Sequence, residues 1–378
     1  VKVALIHDWL VNYGGAERVV EEILSIFPDA DIYTLVYDKK KMAAHFPPEK
    51  VHTSYIQHWL DGPRLYTKFL AFMPKAFESF DLSGYDLVIS SSSSCAKGVI
   101  TPPDVPHIAY IHSPMRYAWD LFFDYRKRSG RLTRFFMDRW MHSLRIWDYI
   151  SSQRIDAIAA NSHYIGRRIQ KYWSRTSQVI YPPVNTDQLA PNGKKPEDFY
   201  VAFSRFVPYK RMDLAVSACL KLNRKLVVIG SGSGEKELKA LAGNSTLITF
   251  TGRISDDAVR DYLQRCRALI FCAEEDFGII PVEAQACGRP VVAYGKGGAC
   301  ETILDKKTGI FFTEQTIESV VRALTEFETL ETKGTFDSTA IAKHAASFSA
   351  ERFRTEFKKL VDDTIQSVKH SSEESRHA

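Results

Sequence analysis

Short apolar runs of strand length alternate with amphipathic helical stretches along this 378-residue chain, stop near 182–198, and then begin again. In the first series the strand candidates are 1–7, 31–37, 86–92, 106–112 and 157–162. In the second they are 199–205, 225–230, 247–252, 268–273, 290–295 and 309–313. The stretch 16–27 carries Val19, Val20, Ile23, Leu24 and Phe27 on one face, the spacing of a crossover helix lying on a sheet. Strand, helix and strand in succession imply right-handed crossovers and a parallel sheet. The Pro-, Asn- and Lys-rich stretch 181–198 reads as a linker. The fold class expected is therefore α/β, with two Rossmann-like, doubly wound parallel-sheet domains at 1–185 and 186–349. A last amphipathic helix is expected at 350–370, followed by a tail at 371–378.

With 45% hydrophobic and 25% charged residues, the chain has ample material for a core and no sign of global disorder. No apolar run reaches the roughly 18 residues of a membrane span. The opening VKVALIHDWLV carries Lys2, His7 and Asp8 and reads as a first buried strand, not a secretory signal. Six cysteines without a CxxC pair sit mostly in apolar runs, as reduced thiols do, which points to the cytoplasm and to no structural metal. A net charge of +5 does not argue for nucleic acid. The positive charge is clustered, however. Between 126 and 145, Arg131, Arg134 and five further Lys and Arg residues are interleaved with Phe135, Phe136 and Trp140. Such a helix either lies on an anionic membrane surface or turns its aromatics into a core.

The chemistry-bearing residues fall where strands end. Glu275 and Glu283 bracket EDFGIIPVE, directly after the strand 268–273 and at the opening of a helix with Pro281 near its start. Two solvated glutamates would be the plain explanation. Ligands of open α/β sheets, however, bind outside the carboxyl ends of the strands, where one Glu can face a sugar and the other a ribose. In SRFVPYKR, Arg205 and Lys210 flank a Pro turn after the first strand of the second series. Fixed cations there would stabilise charge building on a departing diphosphate. Gly14 and Gly15 separate strand and helix near the amino terminus and allow close backbone approach to an anion. Gly230 and Gly232 in GSGSG form either a nucleotide loop or a simple turn, and Arg253 in TGR follows the next strand. Gly297 and Gly298 in KGGACETI offer another anion-ready backbone, with Glu301 read as a structural cap. His112 closes a strand and either bonds a sugar hydroxyl or is an ordinary satisfied histidine; His7 is the second such candidate.

Together, GGAERV (14–19), SRFVPYKR, EDFGIIPVE and GKGGACETI resemble the family 4 retaining glycosyltransferases of the GT-B fold over nearly the whole chain. The resemblance implies two domains facing across a cleft, with the final helix packing back on the first, and no metal or other cofactor. It implies that Arg205 and Lys210 bind the donor diphosphate, with Gly14 and Gly15 approaching it. Glu275 would lie beside the transferred sugar and Glu283 would hold the ribose. The amides of Phe277, Gly278 and Ile279 would bind sugar or phosphate, and His112 would lie near the sugar. IHSPMRYAWD (111–120), which contains Arg116, is similar to enzymes that use GDP-mannose to build O-antigen and related polysaccharides on a polyprenyl diphosphate. The partners implied are a nucleotide sugar, a lipid-linked glycan acceptor and an anionic membrane surface on the cytoplasmic side, met by Arg116, Arg131, Arg134 and Trp140. A UDP-sugar-dependent transferase and a nucleotide-sugar epimerase of the same fold are the alternatives.

Overall fold

The computed structural model describes residues 1–59 and 61–377, without the side chains of 128 and 371–377. The chain forms two units, Val1–Pro183 with Phe353–Ala378, and Val184–Arg352. In the first, β1 (Val3–His7), β2 (Asp31–Thr34), β3 (Val51–Thr53), β4 (Leu87–Ser92), β5 (His107–Ile111), β6 (Ala157–Ala160) and β7 (Gln178–Val179) form a seven-stranded sheet. Its order is β3-β2-β1-β4-β5-β6-β7, and every pairing is parallel. The strands β1, β4 and β5 are buried throughout, which is why they read as nearly continuous apolar runs. β3 and β7 escape a sequence reading because they are short edge strands whose residues are at best half-buried.

The helix Gly15–Ile26 buries Val19, Val20 and Ile23 in one cluster with Val3, Leu5 and Ile32 of the sheet. The last helix, Ala350–His377, adds Phe353, Phe357 and Val361 to that cluster, with Phe353 and Phe357 flanking Tyr110 at 5.6 and 6.2 Å. It runs through the residues that read as a tail beyond 370. The sequence there contains neither Gly nor Pro, so nothing in the backbone stops propagation of a helix already nucleated.

In the second unit β8 (Tyr200–Phe203), β9 (Leu226–Ile229), β10 (Ile248–Gly252), β11 (Leu269–Phe271), β12 (Val291–Tyr294) and β13 (Gly309–Phe312) form a six-stranded sheet. Its order is β10-β9-β8-β11-β12-β13, again parallel. The stretch 184–198 is not a free linker. Val184 bridges to Ser349, the Gln264 amide donates to the Ala190 carbonyl at 2.6 Å, and Arg265 pairs with Glu197 at 3.1 Å. Its Pro- and Asn-rich composition limits regular structure to a single helical turn, Thr186–Gln188, without preventing docking through single hydrogen bonds.

The strand order reverses between β1 and β4 in one sheet and between β8 and β11 in the other, and such switch points open a crevice outside the carboxyl ends of the strands. His7 and Ser92 are the last residues of β1 and β4, and Phe203 and Phe271 those of β8 and β11. The residues that follow them form the candidate site.

Phe357→Ala should lower the unfolding free energy by about 3–5 kcal/mol, through lost burial and the cavity left behind. The exposed neighbour Lys359→Ala should stay within about 0.5 kcal/mol. Urea unfolding of the two variants beside the parent measures the difference.

Candidate active site

In the second unit the loop 204–211 follows β8. Pro208 opens a short turn, Pro208–Lys210, and Arg211 then takes the left-handed conformation at φ 49°. Its guanidinium forks onto Asp213 at 3.1 and 3.0 Å and donates to the Gln315 carbonyl at 3.3 Å, which holds a backbone conformation unusual for a side-chain-bearing residue. Lys210 is thereby aimed at the turn that follows β11, where its ammonium pairs with the Glu275 carboxylate. Both groups are largely enclosed, with Lys210 at 11% and Glu275 at 20% exposure. Arg205 is exposed, and its guanidinium lies 3.4 Å from the Tyr209 hydroxyl.

The glycines around this pair answer to packing. An added Cβ at Gly230 would fall 1.9 Å from the Ser204 carbonyl oxygen, and one at Gly232 would fall 2.5 Å from that of Phe206. The Phe206 amide donates to Ser231 and the Gly234 amide to Phe206, both at 2.9 Å, so the loop after β9 braces the one that carries Arg205. Arg253, at the end of β10, joins them through a 3.0 Å bond to the Ser231 hydroxyl. Gly297 bridges Glu275, and the Gly298 amide donates to the Glu275 carbonyl at 2.8 Å. A Cβ at Gly298 would come within 2.3 Å of the Phe277 Cα. The backbone read as anion-ready at 297–298 is thus occupied in shaping the Glu275 turn. Glu301 lies in the short helix Ala299–Thr302 beside it.

Gly278, at φ 88°, leads into the helix Ile279–Ala286. The helix starts two residues earlier than Pro281 suggests, since a proline at the third position loses an N–H that has no intrahelical acceptor anyway. Glu283 is half-buried one turn further along. The Phe277 ring is buried against Phe348 with centroids 5.7 Å apart. Gly278 and Ile279, at the start of the helix, follow β11 at the same edge of the sheet as the loop after β8 that carries Lys210. Sequence candidates from five separate segments thus meet at one strand edge.

The first unit assembles a different set. His112 follows β5, and its Nε2 lies 2.8 Å from the Ser91 hydroxyl; His7 ends β1 and reaches the same serine at 3.2 Å. The helix Gly15–Ile26 starts behind them, with Gly14 as its cap and Gly15 as its first residue. Asp8, which the sequence marked only as a polar residue in the first apolar run, is buried and accepts the amides of Ser93, Cys95 and Ala96 at 2.5, 2.9 and 2.8 Å, which fixes the loop after β4. The serine run 90–94 was the available signal, because apolar strands seldom end in consecutive hydroxyls.

The basic helix Arg131–Ser152 buries Met137, Met141 and Leu144, while Phe135 is 63% and Trp140 44% exposed. Buried Asp148 pins it, meeting Lys97 at 2.9 Å and the indoles of Trp119 and Trp173 at 2.7 Å each. Arg131 is exposed and Arg116 half-buried. Arg134 donates to the carbonyls of Arg126 and Lys127 at 3.0 and 2.8 Å, capping the end of the preceding helix, Phe122–Arg128.

Two Rossmann-like parallel sheets in one chain, each with its polar loops at a switch point, define the GT-B architecture. Residues 13–188 match the family described as Glycosyltransferase Family 4, and residues 185–344 match that described as Glycosyl transferases group 1. The two matches lie side by side along the chain, one on each sheet, and its fold is that of the GT-B glycosyltransferases. A GDP-mannose-dependent alpha-(1-6)-phosphatidylinositol monomannoside mannosyltransferase of Mycobacterium tuberculosis is 30% identical over 202 residues, 45% of this chain and 52% of that protein. An alpha-1,3/1,6-mannosyltransferase of Mus musculus is 26% identical over 248 residues, 56% of this chain and 59% of that protein. The chain thus spans about half the length of the curated relatives it matches. The fold is shared with the HepE protein of Anabaena, solved in complex with UDP, at a TM-score of 0.71 and 16% identity over 96% of this chain and 100% of that one.

Gly298→Ala should lose most activity although it alters neither Lys210 nor Glu275 chemically, because the added methyl displaces the turn that carries Glu275. A stability loss of about 1–3 kcal/mol should accompany it, and a melt read together with a transfer assay tests both. A pH effect follows from two histidines. Burial pushes His107 and His112 down to about 3, assisted at His107 by Arg154 and Lys97 and at His112 by His7. These folded-state values lie below the unfolded value, so between about pH 6.5 and pH 3 the unfolded chain binds more protons and stability falls as pH drops. Each histidine contributes a slope of up to about 1.4 kcal/mol per pH unit, and urea midpoints between pH 7 and pH 4.5 should show the decline.

Proposed function

We propose that this chain is a retaining hexosyltransferase that moves mannose from GDP-mannose onto a polyprenyl-diphosphate-linked glycan in O-antigen or polysaccharide synthesis. One observation carries the reading: Lys210 and Glu275, from loops after adjacent strands, are paired at the switch point of the second sheet. A cation there can meet the diphosphate, and the carboxylate it releases can hold the sugar. Arg205 grips a phosphate through its fork of donors, and Lys210 acts as a compact charge. The bond between the anomeric carbon and the diphosphate oxygen breaks, the acceptor hydroxyl adds to the same face, and its proton passes to the departing diphosphate. In this reading Arg205 and Lys210 carry the charge stabilisation without a metal. The first amides of the helix Ile279–Ala286 hold hydroxyls or phosphate, Glu283 the ribose, and His112 the sugar. The two mannosyltransferase relatives support mannose, and the phosphatidylinositol monomannoside acceptor of the mycobacterial one supports a lipid-borne acceptor.

The acceptor's lipid gives the basic helix a task. Besides its core stripe, Arg131–Ser152 exposes a second one, with Leu132, Phe135, Phe136, Trp140, Ile146 and Ile150 open to solvent beside Arg131 and Arg139. Among the described residues no helix is long and apolar enough to cross a membrane. A half-apolar, half-cationic face suits the anionic headgroup layer on the cytoplasmic side. Arg116, Arg131 and Trp140 serve this contact, while Arg134 holds the helix pair together.

Arg205→Ala and Lys210→Ala should each reduce turnover by about 10²–10³-fold, the scale for removing one fixed donor to developing charge. A double variant with the parent rate would refute the site. Transfer assayed with GDP-mannose, UDP-glucose, UDP-N-acetylglucosamine and GDP-fucose identifies the donor, and NMR of the product anomer reads retention. Trp140→Ala with Phe135→Ala should weaken sedimentation with phosphatidylglycerol-containing vesicles and leave transfer to a short soluble acceptor unchanged.

A further inference from the structure

Glu17, His7, Ser91 and His112 form a continuous line of polar contacts in the first unit. Glu17 Oε1 lies 3.5 Å from His7 Nε2, and His7 Nδ1 lies 3.2 Å from both the carbonyl and the hydroxyl of Ser91. That hydroxyl lies 2.8 Å from His112 Nε2. Residues far apart in sequence meet because β1 pairs with β4 in the register His7↔Ser91, while β4 pairs with β5, which His112 follows. His7, Ser91 and Glu17 are all buried. The neighbours that face His112 are the Ser91 hydroxyl, His7 and the Tyr110 ring, whose centroid is 5.1 Å away.

The direction of each bond follows from the chemistry of its partners. A backbone carbonyl only accepts, so His7 Nδ1 donates to it. The other nitrogen of His7 faces a carboxylate oxygen, also an acceptor, so the contact requires one further proton between His7 Nε2 and Glu17 Oε1. Glu17 suits that role. It lies in the first turn of the helix Gly15–Ile26, where free amides favour a carboxylate, and a Cβ at Gly14 would crowd its Oε2 at 3.3 Å. The Ser91 hydroxyl, receiving from His7, has its own proton left for His112 Nε2. A neutral His112 must then carry its proton on Nδ1.

We propose that Glu17, His7 and Ser91 are positioning residues that hold His112 as a neutral ring protonated on Nδ1, presenting one fixed hydrogen-bond donor to an oxygen of the bound sugar. Only the identity of the ligand rests on the glycosyl-transfer reading; the protonation state of the ring does not. Burial, and after it the electrostatic effect of the neighbouring His7, disfavour a second proton on His112. The proposal also accounts for the GGAE part of the first motif, in which Gly14 makes room for the carboxylate that anchors the line.

Long-range ¹H–¹⁵N spectra of the histidine-labelled, ligand-free protein at pH 7 test it, with His112 assigned by the signal lost in His112→Gln. The expected pattern is a protonated Nδ1 and an accepting Nε2. Ser91→Ala, which removes only a hydroxyl, should let His112 populate both tautomers. The ratio kcat/KM for the donor should fall about tenfold, the effect of one misdirected hydrogen bond. Glu17→Gln keeps the shape and removes the charge, and should move the His112 titration upward. A parent ring protonated on Nε2 or doubly protonated at pH 7 overturns the proposal, and so does a Ser91→Ala spectrum identical to the parent's. Absence of transfer by the parent with every donor overturns the glycosyl-transfer reading instead, since the tautomer is read without donor or acceptor.

Discussion

Parallel pairing ends every strand of a sheet at the same edge, and the position of each functional residue in this protein follows from that. Loops that leave the carboxyl ends are neighbours however far apart they lie in sequence. Arg205, Lys210, Ser231, Arg253, Glu275 and Gly297 thus come from loops after β8, β9, β10, β11 and β12 and still meet along one rim. The reversal of strand order between β8 and β11 leaves no crossover helix covering that rim at its centre, so a ligand can approach there.

What makes the rim precise in the second unit is close backbone approach, not a dense set of side-chain bonds. Gly230, Gly232, Gly297 and Gly298 each sit where a Cβ would collide with the backbone of the neighbouring loop. The turn holding Glu275 and the loop holding Lys210 are consequently rigid, and the ion pair between them loses little conformational entropy on forming. Such a pair, partly withdrawn from water, is worth little as a stabilising element because desolvation offsets its attraction. In the proposed function its value lies in storing opposite charges side by side, for a ligand that carries both a phosphate and a sugar hydroxyl.

The first unit achieves the same rigidity with buried polar groups. Asp8 is satisfied by three backbone amides, and Asp148 by a lysine and two indoles, so the loop after β4 and the helix Arg131–Ser152 have fixed positions. Buried carboxylates of this kind are costly unless fully bonded, and full bonding leaves one arrangement available. The fixed helix displays its second apolar stripe in a single orientation.

Strand positions were legible in the sequence because buried parallel strands are continuous apolar runs, and glycine-bounded loops mark where they end. Fold class, both sheets and the segments that bear Arg205, Lys210, Glu275 and His112 could be read that way, whereas β3 and β7 were too short and too exposed to register. Composition misled at 184–198 and beyond 370, where docking of single side chains and propagation of a helix have no local signature. The Glu17–His7–Ser91–His112 line was invisible, since only strand register brings those residues together. Sequence by itself determined which chemical groups stand at strand ends, because periodicity is local. The tertiary structure alone decided which of them touch, because contact depends on long-range pairing between segments that carry no mark of one another.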